Sequence, residues 1–376
     1  MTEPRAAYIH VPFCRHRCGY CNFAVIAGRD DLIEQYLHGL QQELSALGHP
    51  REVDTLFLGG GTPTHLPPAQ LERLLQIAHK WFPLAVGGEL SVEANPADLD
   101  SERVDVLGRQ GVTRVSLGAQ SFDPDKLRLL ERDHQPEDIA RSVELARSAV
   151  QSVSLDLIFG TPGESLSTWM ADLSAALALR PEHVSTYGLT YERGTRFWGR
   201  LSKGQLSALG EEPEREMYAL AIDKLSAAGF EHYEVSNFAR PGHRCRHNEV
   251  YWAASPYYAA GPGAARYVHG RREVNHRSTW TWLKRVLAGQ SPVAESEELS
   301  PEDRAREALV LGLRRIEGID QAAFAVQTGF ELHRLVGREL QRHLDLGTLE
   351  MTNGQLRLTR NGLFVSDAIW PDFLRT

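Results

Sequence analysis

The segment Ala7-Tyr-Ile-His-Val-Pro-Phe-Cys14-Arg-His-Arg-Cys18-Gly-Tyr-Cys21 joins a short apolar run to three cysteines in the spacing CxxxCxxC. Residues 7–11 read as a buried strand. A nucleotide-binding open sheet would follow its first strand with GxGxxG; this chain has Cys14 there instead. Iron–sulfur clusters are usually held by four thiolates, and a structural zinc site also closes four positions. Here the fourth cysteine, Cys245, lies far downstream. Three ligands leave a coordination position open, the mark of a site that does chemistry. The spacing leaves three readings: an open iron–sulfur cluster, a zinc site, or unligated thiols. Four cysteines in 376 residues do not make a secreted disulfide scaffold, so a disulfide reading is weak. The residues before Cys14 include Glu3 and Arg5 and do not read as a signal peptide.

Outward from this loop, short apolar runs alternate with amphipathic helical patterns. Strands are expected at 7–11, 55–58, 89–94, 113–117, 152–159 and 183–189. Helices are expected at 32–44, 71–78, 101–109, 136–149 and 166–179, where apolar residues recur at three and four positions. Strands alternating with helices imply parallel βα units with right-handed crossovers. Six units in a row predict an α/β chain built as an incomplete (βα)6 barrel over residues 1–237. Its site is expected at the C-terminal strand ends, where the cysteine loop also falls. A helix at 213–228 and a further strand at 231–237 complete this part. Residues 238–300 are rich in Gly, Pro, Tyr and His, with breakers at Pro241-Gly242 and Gly261-Pro262-Gly263. They read as a connecting segment with a helix at 279–287. Residues 301–376 read as a small α+β module, with helices at 305–313 and 332–344 and a hairpin at 349–359 around Asn353-Gly354. A short C-terminal helix would complete a pattern resembling a winged helix.

The net charge of −8, with no basic stripe, argues against a nucleic-acid partner for that module. No apolar run reaches about 18 residues, so no membrane span is expected. The absence of a targeting segment points to the cytoplasm, whose reducing conditions suit an oxygen-sensitive cluster.

The expected strand ends carry polar groups. Gly59-Gly60-Gly61-Thr62-Pro63 follows the second strand, and its glycines let the backbone approach a ligand closely. Glu93 ends the third strand, Gln120 follows the fourth, and Arg132 lies in the loop beyond. Asp156 sits inside the apolar fifth strand, a costly place for a charge without a partner. Each of these residues alone also fits a turn, a cap or a buried ion pair. Several strand ends carrying such groups are what a barrel ligand site requires.

The CxxxCxxC run, with Tyr20 before its last cysteine, resembles the signature of the radical S-adenosylmethionine (SAM) superfamily. Further phrases narrow this to the branch that is similar to coproporphyrinogen III oxidase. They are Tyr8-Ile-His-Val-Pro-Phe-Cys14, the GGGTP loop at 59–63, Glu93-Ala-Asn-Pro96, Ser116-Leu-Gly-Ala-Gln-Ser-Phe122, Leu130-Glu-Arg132 and Asp156-Leu-Ile-Phe-Gly160. The resemblance implies that Cys14, Cys18 and Cys21 hold a [4Fe–4S] cluster whose open iron chelates SAM. It further implies that Tyr8, Tyr20, Gly60, Gly61, Thr62, Glu93, Gln120, Arg132 and Asp156 line the SAM site. Two departures separate the chain from the oxidase: Asn22-Phe23 replaces the oxidase's fourth cysteine, and the oxidase's long N-terminal segment is missing. Both features resemble the HemW-type heme chaperones, as does Cys245-Arg-His247-Asn248-Glu-Val-Tyr251-Trp252, which matches their HNxxYW motif. This resemblance implies heme binding near His247, with delivery to acceptor hemoproteins, membrane-associated respiratory proteins among them. Relatives read GxGAHS after this motif. Here Gly261-Pro-Gly-Ala-Ala265-Arg266 lacks that histidine, which shifts weight onto His247. The alternative implied by the branch is an oxygen-independent coproporphyrinogen III decarboxylase, or another SAM-cleaving enzyme.

Overall fold

Strict alternation along six parallel strands sets the architecture of the computed structural model, which describes residues 3–374. The strands are β1 (Ala6–Val11), β2 (Val53–Gly60), β3 (Leu84–Ala94), β4 (Arg114–Gln120), β5 (Ser152–Phe159) and β6 (His183–Gly188). One face of each strand is apolar. Ile9, Leu56, Leu58, Leu90, Val92, Val115, Leu117, Val153 and Leu155 are buried in the main core. There they meet helices such as α1 (Ile33–Ser45), α2 (Pro68–Trp81) and α3 (Ser101–Arg109). Side chains alternate faces along a strand. The opposite face therefore carries Tyr8, His10, Thr55, Phe57, Ser91, Glu93, Ser116 and Asp156, and it lines a polar lumen.

Three further strands extend the sheet: β7 (Glu231–Glu234), β8 (Asn237–Ala239) and β9 (Tyr258–Ala260). The nine-stranded order is β9-β1-β2-β3-β4-β5-β6-β8-β7. From β9 to β6 neighbours are parallel, in registers such as Ile9↔Leu58 and Leu155↔Val184. The sheet has two free edges and does not close, as an incomplete barrel requires. The strand expected at 231–237 is instead a tight antiparallel hairpin of β7 and β8. Its turn is closed by the buried Glu234 carboxylate, which accepts from the Ser236 amide at 3.1 Å and from the Asn237 side chain.

Residues 238–300 build structure rather than merely connect. Helix α4 (Arg246–Trp252) and edge strand β9 both belong to the barrel. An antiparallel sheet follows, made of β10 (Ala265–Val268), β11 (Arg271–Asn275) and β12 (Val293–Glu298). Glu43 of α1 fixes this region to the barrel. Its buried carboxylate accepts from the Gly261 amide at 2.9 Å, Asn275 at 2.7 Å and the Trp282 indole at 2.9 Å.

The C-terminal module begins with helix α5 (Pro301–Leu313) and carries an antiparallel sheet of β13 (Ile319–Asp320), β14 (Leu349–Thr352) and β15 (Gln355–Leu358). Asn353 and Gly354 have φ of 51° and 81°, the geometry of the tight hairpin turn their identities predict. The module docks on the β7–β8 hairpin through backbone bonds, Val235 to Arg314 at 3.0 Å and Ile316 to Tyr233 at 3.2 Å.

Candidate functional site at the strand ends

The cysteine loop is closed at its neck. Phe13 pairs in parallel with Ile26, and the Ile26 amide donates to the Pro12 carbonyl at 2.8 Å. Arg15 braces it from outside by an ion pair to the buried Asp98 at 2.8 Å. Cys14, Cys18 and Cys21 are all free and half-buried on this loop, while Cys245 is buried elsewhere. Burial pushes the Cys14 thiol up to about 12, with the Thr62 hydroxyl at 3.7 Å pulling the other way. Burial also raises Cys21. Such thiols give up their proton on metal binding. Among the described residues no three His, Cys, Asp or Glu side chains are disposed to hold one metal ion. A cubane cluster instead gives each thiolate its own iron, so one loop carrying three free thiols fits a cluster better than a single ion.

Arg132 reaches this loop from beyond β4. Its Nη1 lies 3.4 Å from the Cys18 sulfur, and Nη2 donates to Asn95 at 2.8 Å and to the Gly118 carbonyl at 2.9 Å. Its Nε is buried with no acceptor among the described residues, a spare donor beside the thiols. Tyr20 packs edge-on to Phe197 at 6.2 Å; burial raises its phenol and the nearby Arg132 charge opposes the rise. Gln120 takes φ of 63°, a left-handed conformation that costs a non-glycine residue about 1 kcal/mol. Its side-chain amide lies over Gly118, where an added Cβ would meet Gln120 Nε2 at 2.9 Å and Arg132 Nη2 at 3.4 Å.

The glycine loop serves packing first. A Cβ on Gly60 would collide with the His10 ring, and one on Gly61 would lie 2.6 Å from the Val11 and Phe13 carbonyls. The amides of the loop are engaged within the protein: Gly60 with Glu93 at 2.8 Å, Gly61 with Val11 at 2.7 Å and Thr62 with Phe13 at 2.8 Å. The loop thus locks β2 to the cysteine neck and holds Glu93 in place. Burial raises Glu93 to about 7, against the pull of the Gly60 amide and with help from Asp156. Asp156 accepts from the Ser116 hydroxyl at 3.1 and 3.0 Å, and burial raises it as well.

One residue of this end escapes sequence reading. His10 accepts from the Tyr8 hydroxyl at 3.0 Å and meets the Ala24 carbonyl of the cysteine loop through Nε2, also at 3.0 Å. The carbonyl partner assigns the proton to Nε2 and the acceptor role to Nδ1. The alternation in 7–11 places Tyr8 and His10 on one face, the signal by which the link is legible.

His247 is not brought to this end. Helix α4 plugs the barrel at the start of the strands. Along β2, Thr55 and Gly60 stand about 16 Å apart, five residues at ~3.3 Å each. The His247 ring is 1% exposed. Its Nδ1 bonds Thr55 at 3.0 Å and its Nε2 bonds the Tyr251 hydroxyl at 2.8 Å. Burial lowers it to about 3, so the ring is neutral. Below it Glu89 accepts from the Arg246 amide at 3.1 Å and the His247 amide at 3.2 Å. Cys245 lies 3.7 Å from Glu89, and burial pushes its thiol to about 12. Outside the plug, a cleft of about 730 Å³ opens between α4, the β10–β11 hairpin and α5.

Residues 8–176 match the model of the radical SAM superfamily, and residues 299–365 match the HemN C-terminal domain. The chain is 35% identical to the heme chaperone HemW of Bacillus subtilis, covering 98% of this chain and 99% of that protein. It is 31% identical to the heme chaperone HemW of Escherichia coli, covering 99% and 98%. A zebrafish (Danio rerio) relative, the mitochondrial radical S-adenosyl methionine domain-containing protein 1, is 34% identical, covering 98% and 86%. The coproporphyrinogen III oxidase HemN of Escherichia coli, described as a radical SAM enzyme, superposes with a TM-score of 0.86 at 22% identity, covering 99% of this chain and 90% of that one. That likeness shows a shared fold. With relatives of this identity matching from end to end, the chain belongs to the HemW heme chaperone family, built on the radical SAM fold.

Proposed function

We propose that this protein binds heme and passes it to acceptor hemoproteins, and that it carries a [4Fe–4S] cluster with SAM at the strand ends. The observation that carries the reading is the end-to-end match to proteins named heme chaperones, which spans the segment containing His247, Tyr251 and Trp252.

When bound, the cluster supplies an open iron that chelates SAM and an electron for its sulfonium. The chain's own part follows from the geometry. Cys14, Cys18 and Cys21 hold the irons, and the loop's closed neck keeps them together. Arg132 neutralises thiolate charge at Cys18 and offers its free Nε to the SAM carboxylate. Glu93, poised near neutrality, and Asp156 accept from amino or hydroxyl groups inside the lumen. Gly60, Gly61 and Thr62 hold Glu93 and Cys14 in position, Tyr8 acts through His10, and Tyr20 and Gln120 shape the wall beside Arg132. His247 serves the heme end by fixing Tyr251. In this reading the cluster end gates transfer rather than turning over a porphyrin substrate.

No helix among the described residues is long and apolar enough to cross a membrane. We place the protein in the cytoplasm and count membrane-associated respiratory proteins among the acceptors. The test is transfer: heme-loaded protein mixed with an apo-hemoprotein should lose its heme spectrum as the acceptor gains activity. Reduced, cluster-loaded protein should leave coproporphyrinogen III unchanged. Protoporphyrinogen formed at catalytic turnover would make it a decarboxylase instead.

A further inference from the structure

The cleft beside α4 has the chemistry of a site for a flat apolar dicarboxylate. Tyr251, Trp252, Tyr257 and Tyr267 line it, with Arg272 and Arg304. Its volume of about 730 Å³ falls within the range of small-molecule and cofactor pockets. Tyr257 and Tyr267 are fixed to each other by reciprocal backbone bonds at 2.9 and 3.1 Å, so these rings stand on a rigid base. The Trp252 indole N–H is buried without an acceptor among the described residues, and the Arg314 guanidinium lies 4.5 Å from its ring centroid.

The two cations of the cleft differ. Arg272 is paired with Glu297 and Glu307. Arg304, in the first turn of α5, makes no ion pair and no side-chain hydrogen bond among the described residues, yet it is half-buried. A guanidinium held in an aromatic cleft without a counter-ion suits a ligand carboxylate.

The HNxxYW spacing acquires a physical reason here. His247 and Tyr251 stand four residues apart on α4, hence on one face of the helix. His247 turns into the barrel and binds the Tyr251 hydroxyl at 2.8 Å. The Tyr251 ring is thereby held as a wall of the cleft.

We infer that the tetrapyrrole seats in this cleft between the barrel and the C-terminal module, with Arg304 taking a propionate and His247 acting as a positioning residue, not as the iron ligand. This rests on the heme-binding reading above.

The test uses the full-length, cluster-loaded protein with ferric protoporphyrin IX and its dimethyl ester as probes. Arg304→Gln should weaken the dicarboxylate about tenfold and leave the ester unchanged. Tyr267→Ala should weaken both. His247→Gln should keep the wild-type ferric absorption and EPR spectra at saturation, whatever its affinity. Wild-type affinity in both the Arg304 and Tyr267 variants, or a changed iron spectrum in His247→Gln, would overturn the inference and leave the heme-binding reading standing. Absence of heme binding by the wild type would remove both. Arg304 has no side-chain partner among the described residues, so its variant is expected to fold, which circular dichroism checks.

Discussion

The two ends of the barrel use the same kinds of side chain and leave them in different states. At the start of the strands most polar groups close on one another, with the Arg114 Nη2 an exception that has no partner among the described residues. Thr55, His247 and Tyr251 form one chain, and Glu89 gathers Cys245, Arg246 and His247. Ser154 bonds His183 at 2.8 Å, and His183 bonds Tyr233 at 2.8 Å. At the other end Arg132 keeps a buried donor without an acceptor among the described residues, Gln120 is strained, and burial raises Glu93 to about 7. Satisfied networks hold a shape, whereas groups left short of partners await a ligand. The difference shows why a histidine in a recognisable motif need not be exposed: His247 belongs to the plug and bonds the Tyr251 hydroxyl.

Breaking the plug should have the largest effect. Glu89→Ala leaves two backbone donors of α4 without an acceptor and should cost about 3 kcal/mol, read as a lower midpoint in urea with an unchanged slope. A silent variant would show that the plug is not held this way.

At the other end the carboxylate should act through pH. Glu93 has a folded-state value above its ordinary one. Its neutral form therefore favours the fold fully below about 4.5, and that advantage is lost as pH rises through about 7. Wild type should lose about 2–3 kcal/mol across this window relative to Glu93→Gln, in metal-free protein unfolded at a series of pH values. Parallel pH profiles for the two proteins would refute the assignment.

The cysteines should give the smallest stability effects and the sharpest chemical ones. Alanine at Cys14, Cys18 or Cys21 should change metal-free stability by less than about 1 kcal/mol but abolish iron and sulfide loading. Cys245→Ala should retain both. Loss of iron in the Cys245 variant would mean that the two ends share a ligand.

The six barrel strands and their helices were legible because alternation and helical spacing are local signals. Edge strand β9 was not. Tyr258–Ala260 is three residues long in a Gly- and Pro-rich stretch, and its place is set by pairing with β1 and by Glu43 holding Gly261. The β7–β8 hairpin was hidden too, because its turn depends on the buried Glu234 side chain rather than on Gly or Pro. In the candidate site the cysteine loop and Arg132 stand where the strand-end reading put them. The glycine amides are bonded within the protein, because close packing against His10 and the cysteine neck requires both the glycines and their bonds. The cleft beside α4 is assembled from residues 251–257, 267–272, 301–311 and 327–328, so the HNxxYW motif marks one wall of it and no local pattern gives the rest.

The central claim is that thiol loop and heme cleft occupy separate ends. An anaerobic absorbance titration of ferric heme into cluster-loaded wild type and into the Cys14→Ala, Cys18→Ala, Cys21→Ala triple variant tests it most directly. The account predicts the same stoichiometry and the same heme spectrum in both. Heme binding that disappears with the cluster would contradict it.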